Sequence, residues 1–208
     1  MYADSCRSGI TISMTRLLSN IVVALLICAP ALAQPQELRL EFTPANSTVD
    51  FTLGDILHTV HGSFQLKRGD VEYNFATGAV HGELVIDATS GQSGNHSRDH
   101  KMHSEVLESG RYPEIAFRPD RVQGTVSPSG TSNVQVQGTF SIHGEDHELT
   151  MPMRVEISPG HWVADTHFTV PYVKWGLKNP STFLLRVSES VEIDVHATGT
   201  NPFPGNGH

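Results

Sequence analysis

The sequence predicts an all-β domain, an antiparallel sandwich or barrel carrying one short α-helix. Three observations predict it: apolar residues alternate with period two over most of the chain, turn-like sequences recur at short spacing, and a single stretch breaks the alternation. The alternation is cleanest from 133 to 142, where Val134, Val136, Phe140 and Ile142 share one parity and Asn133, Gln135, Gln137, Thr139 and Ser141 the other. Such a strand buries one face and wets the other. Leu149, Met151, Met153, Val155 and Ile157 repeat the scheme, and His143-Gly144-Glu145-Asp146 between the two runs reads as a hairpin connection.

The same pattern runs through Leu38, Leu40 and Phe42; Val49, Phe51 and Leu53; Val60, Phe64 and Leu66; Val71, Tyr73 and Phe75; and Val80, Leu84 and Ile86. Further on come Ile115 and Phe117, then Val122 and Val126, then Trp162, Ala164, Phe168 and Val170, and last Val191, Ile193 and Val195. Lys67-Arg68-Gly69-Asp70, Ser127-Pro128-Ser129-Gly130 and Ser158-Pro159-Gly160 read as turns between them. The exception is about 97–109, SRDHKMHSEVLES, where Met102, Val106 and Leu107 gather at helical spacing. Asn95 or Ser97 caps that helix, and Gly110 with Pro113 stops it.

Residues 1–33 read as a signal peptide: Arg16 precedes an apolar run from Ile21 that ends in Ala31-Leu32-Ala33, with cleavage after Ala33. The start is Met1 or Met14. The run is too short to span a bilayer, which needs about 20 apolar residues. Ile27 before Cys28 sets aside a lipoprotein anchor. Both cysteines, Cys6 and Cys28, fall in this segment, so the remaining 208 − 33 = 175 residues rely on their core without disulfides. One domain is expected over 34–199 and a disordered tail over 200–208. Removing Arg7, Arg16 and Asp4 leaves a formal charge of 12 − 21 = −9, which argues against nucleic acid and anionic membranes as partners.

Chemistry-bearing motifs are weak. His96, His100 and His103 lie at i, i+4 and i+7, but one helix offers three ligands to one ion at poor angles and no cysteine completes a site. They read as the polar edge of an amphipathic helix, and neither metal nor cofactor is expected. Gly91-Gln92-Ser93-Gly94-Asn95 fails the nucleophile-elbow pattern at its last position, and the acidic residues fall on polar parities. No enzyme activity is expected. Asn46-Ser47-Thr48 and Asn95-His96-Ser97 match glycosylation sequons, a pattern that arises often by chance. Gly62, Gly82, Gly124 and Gly138 occupy inward parity, where they either leave the interior open or mark bends; the first is the expectation.

Arg98-Asp99, Met102, Ser104 and Leu107, then Tyr112-Pro113-Glu114-Ile115-Ala116-Phe117, Gly138-Thr139-Phe140-Ser141-Ile142-His143-Gly144 and Val191-Glu192-Ile193-Asp194-Val195 stand in the order and spacing of a known family. Over roughly 38 to 199 the chain resembles the YceI family of exported, lipocalin-like, polyisoprenoid-binding proteins. It departs from that pattern at Lys174-Trp175-Gly176 and at Glu145-Asp146-His147. The resemblance implies an extended antiparallel lipocalin-like β-barrel of about eight strands, located in the periplasm or secreted.

The expected function is to hold or carry an isoprenoid or other long-chain lipid. Phe42, Phe51, Val60, Gly62, Phe64 and Leu84 would line the interior of the first half, and Phe117, Val136, Gly138, Phe140, Met151 and Met153 that of the middle. Trp162, Phe168, Val191 and Ile193 would complete it. Arg98 and Asp99 would either pair as ions holding helix to barrel or meet a ligand head group. Neither nucleic acid nor stable membrane insertion is expected, and the oligomeric state, a dimer included, stays open. The competing reading is a small envelope metal-dependent or redox-associated protein using the histidine-rich helix.

Overall fold

The structure is a computed structural model that describes residues 37–54, 59–182 and 186–200. The expected signal segment and all but the first residue of the expected tail lie outside the described residues. Nine antiparallel strands follow in order: β1 (Glu37–Phe42), β2 (Ser47–Gly54), β3 (Thr59–Asn74), β4 (Val80–Gln92), β5 (Glu114–Gln123), β6 (Gly130–Ile142), β7 (Glu145–Ser158), β8 (His161–Val170) and β9 (Val191–Gly199). They are ordered β1-β3-β2-β9-β8-β7-β6-β5-β4, and pairing of β3 with β4 closes the ring. β2 pairs with Thr59–Phe64 of β3 while β1 pairs with Gly69–Asn74. The two short strands therefore share one place, and nine strands build an eight-stranded barrel.

Two expected strand boundaries are corrected. Lys67-Arg68-Gly69-Asp70 is no turn but the middle of β3, where the register against β4 shifts between Leu66 and Arg68. An extra residue there flips side-chain parity, so the buried set passes from Leu66 to Gly69, Val71 and Tyr73. The same device joins Ile115 and Phe117 to Val122 as the single strand β5, with the shift between Pro119 and Arg121. The β6–β7 hairpin forms as expected, with Ile142 opposite Glu145 and positive φ at His143 and Gly144.

The expected three-turn helix is α-helical only over α1 (His96–Lys101) and widens into a π turn over Met102–Val106. Leu107 N donates to Met102 O at 2.9 Å, the i→i−5 bond of such a turn. The wider turn brings Leu107 into line with Met102, so that Met102, Val106 and Leu107 all face the barrel interior. Asn95 caps the start, its Oδ1 accepting from Arg98 N at 3.1 Å.

The core lies inside the ring, with Leu38, Leu66, Ile157 and Trp162 almost wholly buried. The outer parity is charged and paired: Lys67 and Arg68 meet Glu114, Arg68 and Arg118 meet Glu83, and His196 and His167 meet Asp165 and Asp194. A barrel that crosses a membrane presents an apolar band at these positions instead. No helix among the described residues is long and apolar enough to cross a membrane. Antiparallel succession puts the β3–β4, β5–β6 and β7–β8 turns at one end. The helical crossover, the β6–β7 hairpin and the long β8–β9 segment occupy the other.

Candidate functional site

The barrel encloses a cavity of about 600 Å³. Its wall draws on all nine strands, because each contributes the inward parity of an alternating pattern. Phe42, Phe51, Val60, Phe64, Leu84, Phe117 and Val136 stand on it, as do Phe140, Met151, Met153, Phe168, Val191 and Ile193. The wall is mainly apolar through the body of the barrel, where Tyr73, Asp165 and Thr166 are its polar members, and Ser93, Asn95, Ser97, Arg98, Lys101 and Thr182 gather at the helical end. This is the mouth.

Three members of the expected lining stand elsewhere. Trp162 is 1% exposed and fills the opposite end, its ring 5.3 Å from that of Phe42. Gly62 and Gly138 do not open the lumen, and that expectation is corrected. A Cβ on Gly138 would run into Arg118 O and lie 2.9 Å from Phe117 Cζ, because β5 bulges toward β6 at this point. A Cβ on Gly62 would meet Gln92 O and the Phe51 ring. These glycines admit neighbouring strands. Gly82 and Gly124 serve the bend reading too, with φ of +132° and +105°. The free volume comes instead from the girth of an eight-stranded ring, which is wide enough to hold one ligand.

At the mouth, Arg98 and Asp99 form no ion pair with one another; both converge on Ser93. Asp99 Oδ1 accepts from Ser93 N at 2.8 Å and from Ser93 Oγ, while Arg98 Nε donates to Ser93 Oγ at 2.7 Å and Arg98 Nη2 to Ser93 O at 2.8 Å. The turn from β4 into α1 is thereby fixed. Lys101 Nζ donates to Pro180 O at 2.9 Å and ties the helix to the β8–β9 segment. That segment is a strap held by Tyr172, whose hydroxyl donates to Ser188 O at 2.6 Å. Burial, with a smaller push from Glu189, raises the Tyr172 hydroxyl to about 12.

Lys101, Tyr172 and Leu177 all stand on the cavity wall and were not singled out by sequence reasoning. Lys101 had a signal, lying three residues after Arg98 and beside Met102 on one helix face. The strap had none, because 171–190 lacks any period.

The histidines divide by burial. His96 and His100 are exposed, whereas His103 spans Gly91 O at 2.8 Å and Ser109 Oγ at 3.0 Å, pinning the π turn to β4. His147 stacks on Trp175 at 4.4 Å and 2°, and His143 lies 4.4 Å from the Tyr112 ring. The β6–β7 hairpin thus clamps both strap and crossover. Among the described residues, no group of three or more His, Cys, Asp or Glu is arranged to hold a metal ion. Both sequon asparagines spend their side chains internally: Asn95 caps α1, and Asn46 donates to Glu41 O at 2.9 Å and accepts from Thr43 N at 2.7 Å.

Solved structures share this architecture. BcnA of Burkholderia cenocepacia matches with a TM-score of 0.63 at 17% identity, over 74% of this chain and 96% of that one. A domain from Saccharophagus degradans, described as polyisoprenoid-binding and implicated in plant cell wall breakdown, matches with a TM-score of 0.56 at 15% identity, over 79% and 98%. The YceI protein of Campylobacter jejuni matches with a TM-score of 0.58 at 12% identity, over 69% and 86%. At these identities the likeness is one of fold. Comparison with curated proteins returns no match. The YceI-like domain profile, however, matches residues 40–199 in one unbroken stretch from β1 to the end of β9, and on that ground the chain belongs to the YceI-like family.

Proposed function

We propose that this protein holds one long apolar molecule, an isoprenoid or other long-chain lipid, inside the barrel, and that it does so without catalysis, after export to the periplasm or beyond. The observation that carries the reading is the apolar cavity of about 600 Å³ opening at a mouth where the polar lining is concentrated. That volume lies within the range of about 300–1,000 Å³ usual for small-molecule sites. Binding would be hydrophobic, worth about 25 cal/mol for each Å² of apolar surface removed from water. The Saccharophagus domain's description as polyisoprenoid-binding supports the ligand class. The charged outer face supports a protein that keeps its lipid inside rather than one inserted in a bilayer, and the net charge of −8 disfavours nucleic acid.

Native mass spectrometry of gently purified protein tests the proposal. A bound mass of lipid size is expected on a chain beginning at Gln34. Ile193→Trp, placed on the cavity wall, is expected to exclude most of that mass while the barrel remains folded. A wild-type protein that binds no lipid under any loading, or one carrying a chelator-removable metal in its place, would overturn the reading.

A further inference from the structure

Resting on that reading, we infer that the mouth selects a lipid with an anionic head group, a phosphate or carboxylate at one end of the apolar chain. The described cavity wall contains two cations, Arg98 and Lys101, and one acid, Asp165. Asp165 is already committed, accepting from His196 Nδ1 at 2.6 Å and facing Arg154 at 3.4 Å. The cations are not committed in that way. Among the described residues, neither Arg98 nor Lys101 takes part in an ion pair, although the chain as a whole is acidic.

Donor arithmetic shows what remains. The Lys101 ammonium has three N–H groups and gives one to Pro180 O. The Arg98 guanidinium has five and gives one from Nε and one from Nη2 to Ser93. Among the described residues the neighbouring acids are held mainly by other partners, Asp99 by Ser93 and Glu105 by Lys178 at 2.5 Å, and the attraction of Lys101 for Glu105 is the weaker one. Lys101 is half-buried beside an apolar wall with its hydrogen bond going to a carbonyl, so an anion at the mouth would add a charge-assisted bond. Helix geometry makes the arrangement a unit. Arg98, Lys101 and Met102 stand at i, i+3 and i+4, so one face presents two positive charges at the rim and a thioether just inside it.

Matched probes test this at neutral pH by titration calorimetry: farnesyl monophosphate against farnesol, and oleate against oleyl alcohol. Each anion is expected to bind about tenfold or more tightly than its alcohol, and the comparison of the two anions tells a phosphate preference from a carboxylate one. Lys101→Met and Arg98→Met are each expected to move the anion-to-alcohol ratio toward one, and the double variant to bring it there. Equal affinities for anion and alcohol in the wild-type protein overturn the head-group assignment while leaving lipid binding intact. A preference that survives in the folded double variant overturns the assignment to these residues. Failure to bind either alcohol or either anion sinks the lipid-binding reading itself.

Discussion

The two ends of the barrel are built on opposite terms. At the end formed by the β3–β4, β5–β6 and β7–β8 turns, Trp162 lies against Phe42 and over Gly199, and the interior is filled by side chains in contact. At the other end an α-to-π crossover and a strap are held by hydrogen bonds among Ser93, Arg98, Asp99, Lys101, Pro180 and Tyr172. Packing resists partial opening, because a gap of only about 0.5–1 Å already forfeits about a quarter to a half of each contact's attraction. Hydrogen bonds at a wet rim exchange readily with water and contribute only about 0.5–1.5 kcal/mol each, so that end is expected to open before the floor does. The protein thus has a floor and a door, each of its two tryptophans reporting on one of them.

The comparison is most severely tested at the floor. Trp162→Ala is expected to cost about 3–5 kcal/mol, lowering the melting temperature in a calorimetric scan by on the order of 10 °C. A shift of only a degree or two would mean that the floor is not packed. Gly138→Phe comes next. Because the new side chain would have to displace the Arg118 carbonyl, a loss of about 1–3 kcal/mol is expected, with bound lipid falling alongside stability. Unchanged melting with lipid excluded would restore an open lumen at that position. The smallest effect belongs to the door and to alkaline pH. Folding raises the Tyr172 hydroxyl from 10.0 to about 12, so its contribution is fully present below pH 10 and fades as the pH climbs toward 12. Tyr172→Phe is expected to flatten the stability–pH curve in that window, and a variant that loses stability there as steeply as the parent would remove Tyr172 from the door.

What the sequence made legible follows from periodicity. β6 and β7 could be read residue by residue because no extra residue interrupts their thirteen paired positions from Gly130 to Ile142. The interruptions in β3 and β5 were misread as strand boundaries, since a bulge and a turn both reverse the alternation and only the partner strand tells them apart. The inward glycines failed for a related reason. A missing side chain is visible in a sequence, but the backbone that occupies its place, Arg118 at Gly138 or β4 at Gly62, is not. Most of the aliphatic and aromatic wall was legible from parity; the rim was not, because Lys101 and the strap take their meaning from tertiary neighbours.

The shared place of β1 and β2 has a consequence for how the molecule comes apart. The wall is severed at Thr43–Asn46 and sutured by one side chain, with Asn46 bonding to Glu41, Thr43 and Ser47 while its carbonyl accepts from Thr198. β1 pairs along one edge only, with β3. In hydrogen exchange it should therefore behave as a separate cooperative unit, its amides labelling before those of the continuous strands. Once it lifts, Gly69–Asn74 of β3 stands as a bare edge, the kind of template on which a second copy of the same chain can lay its own first strand. The suture at Asn46 is then what holds the first strand on its own barrel.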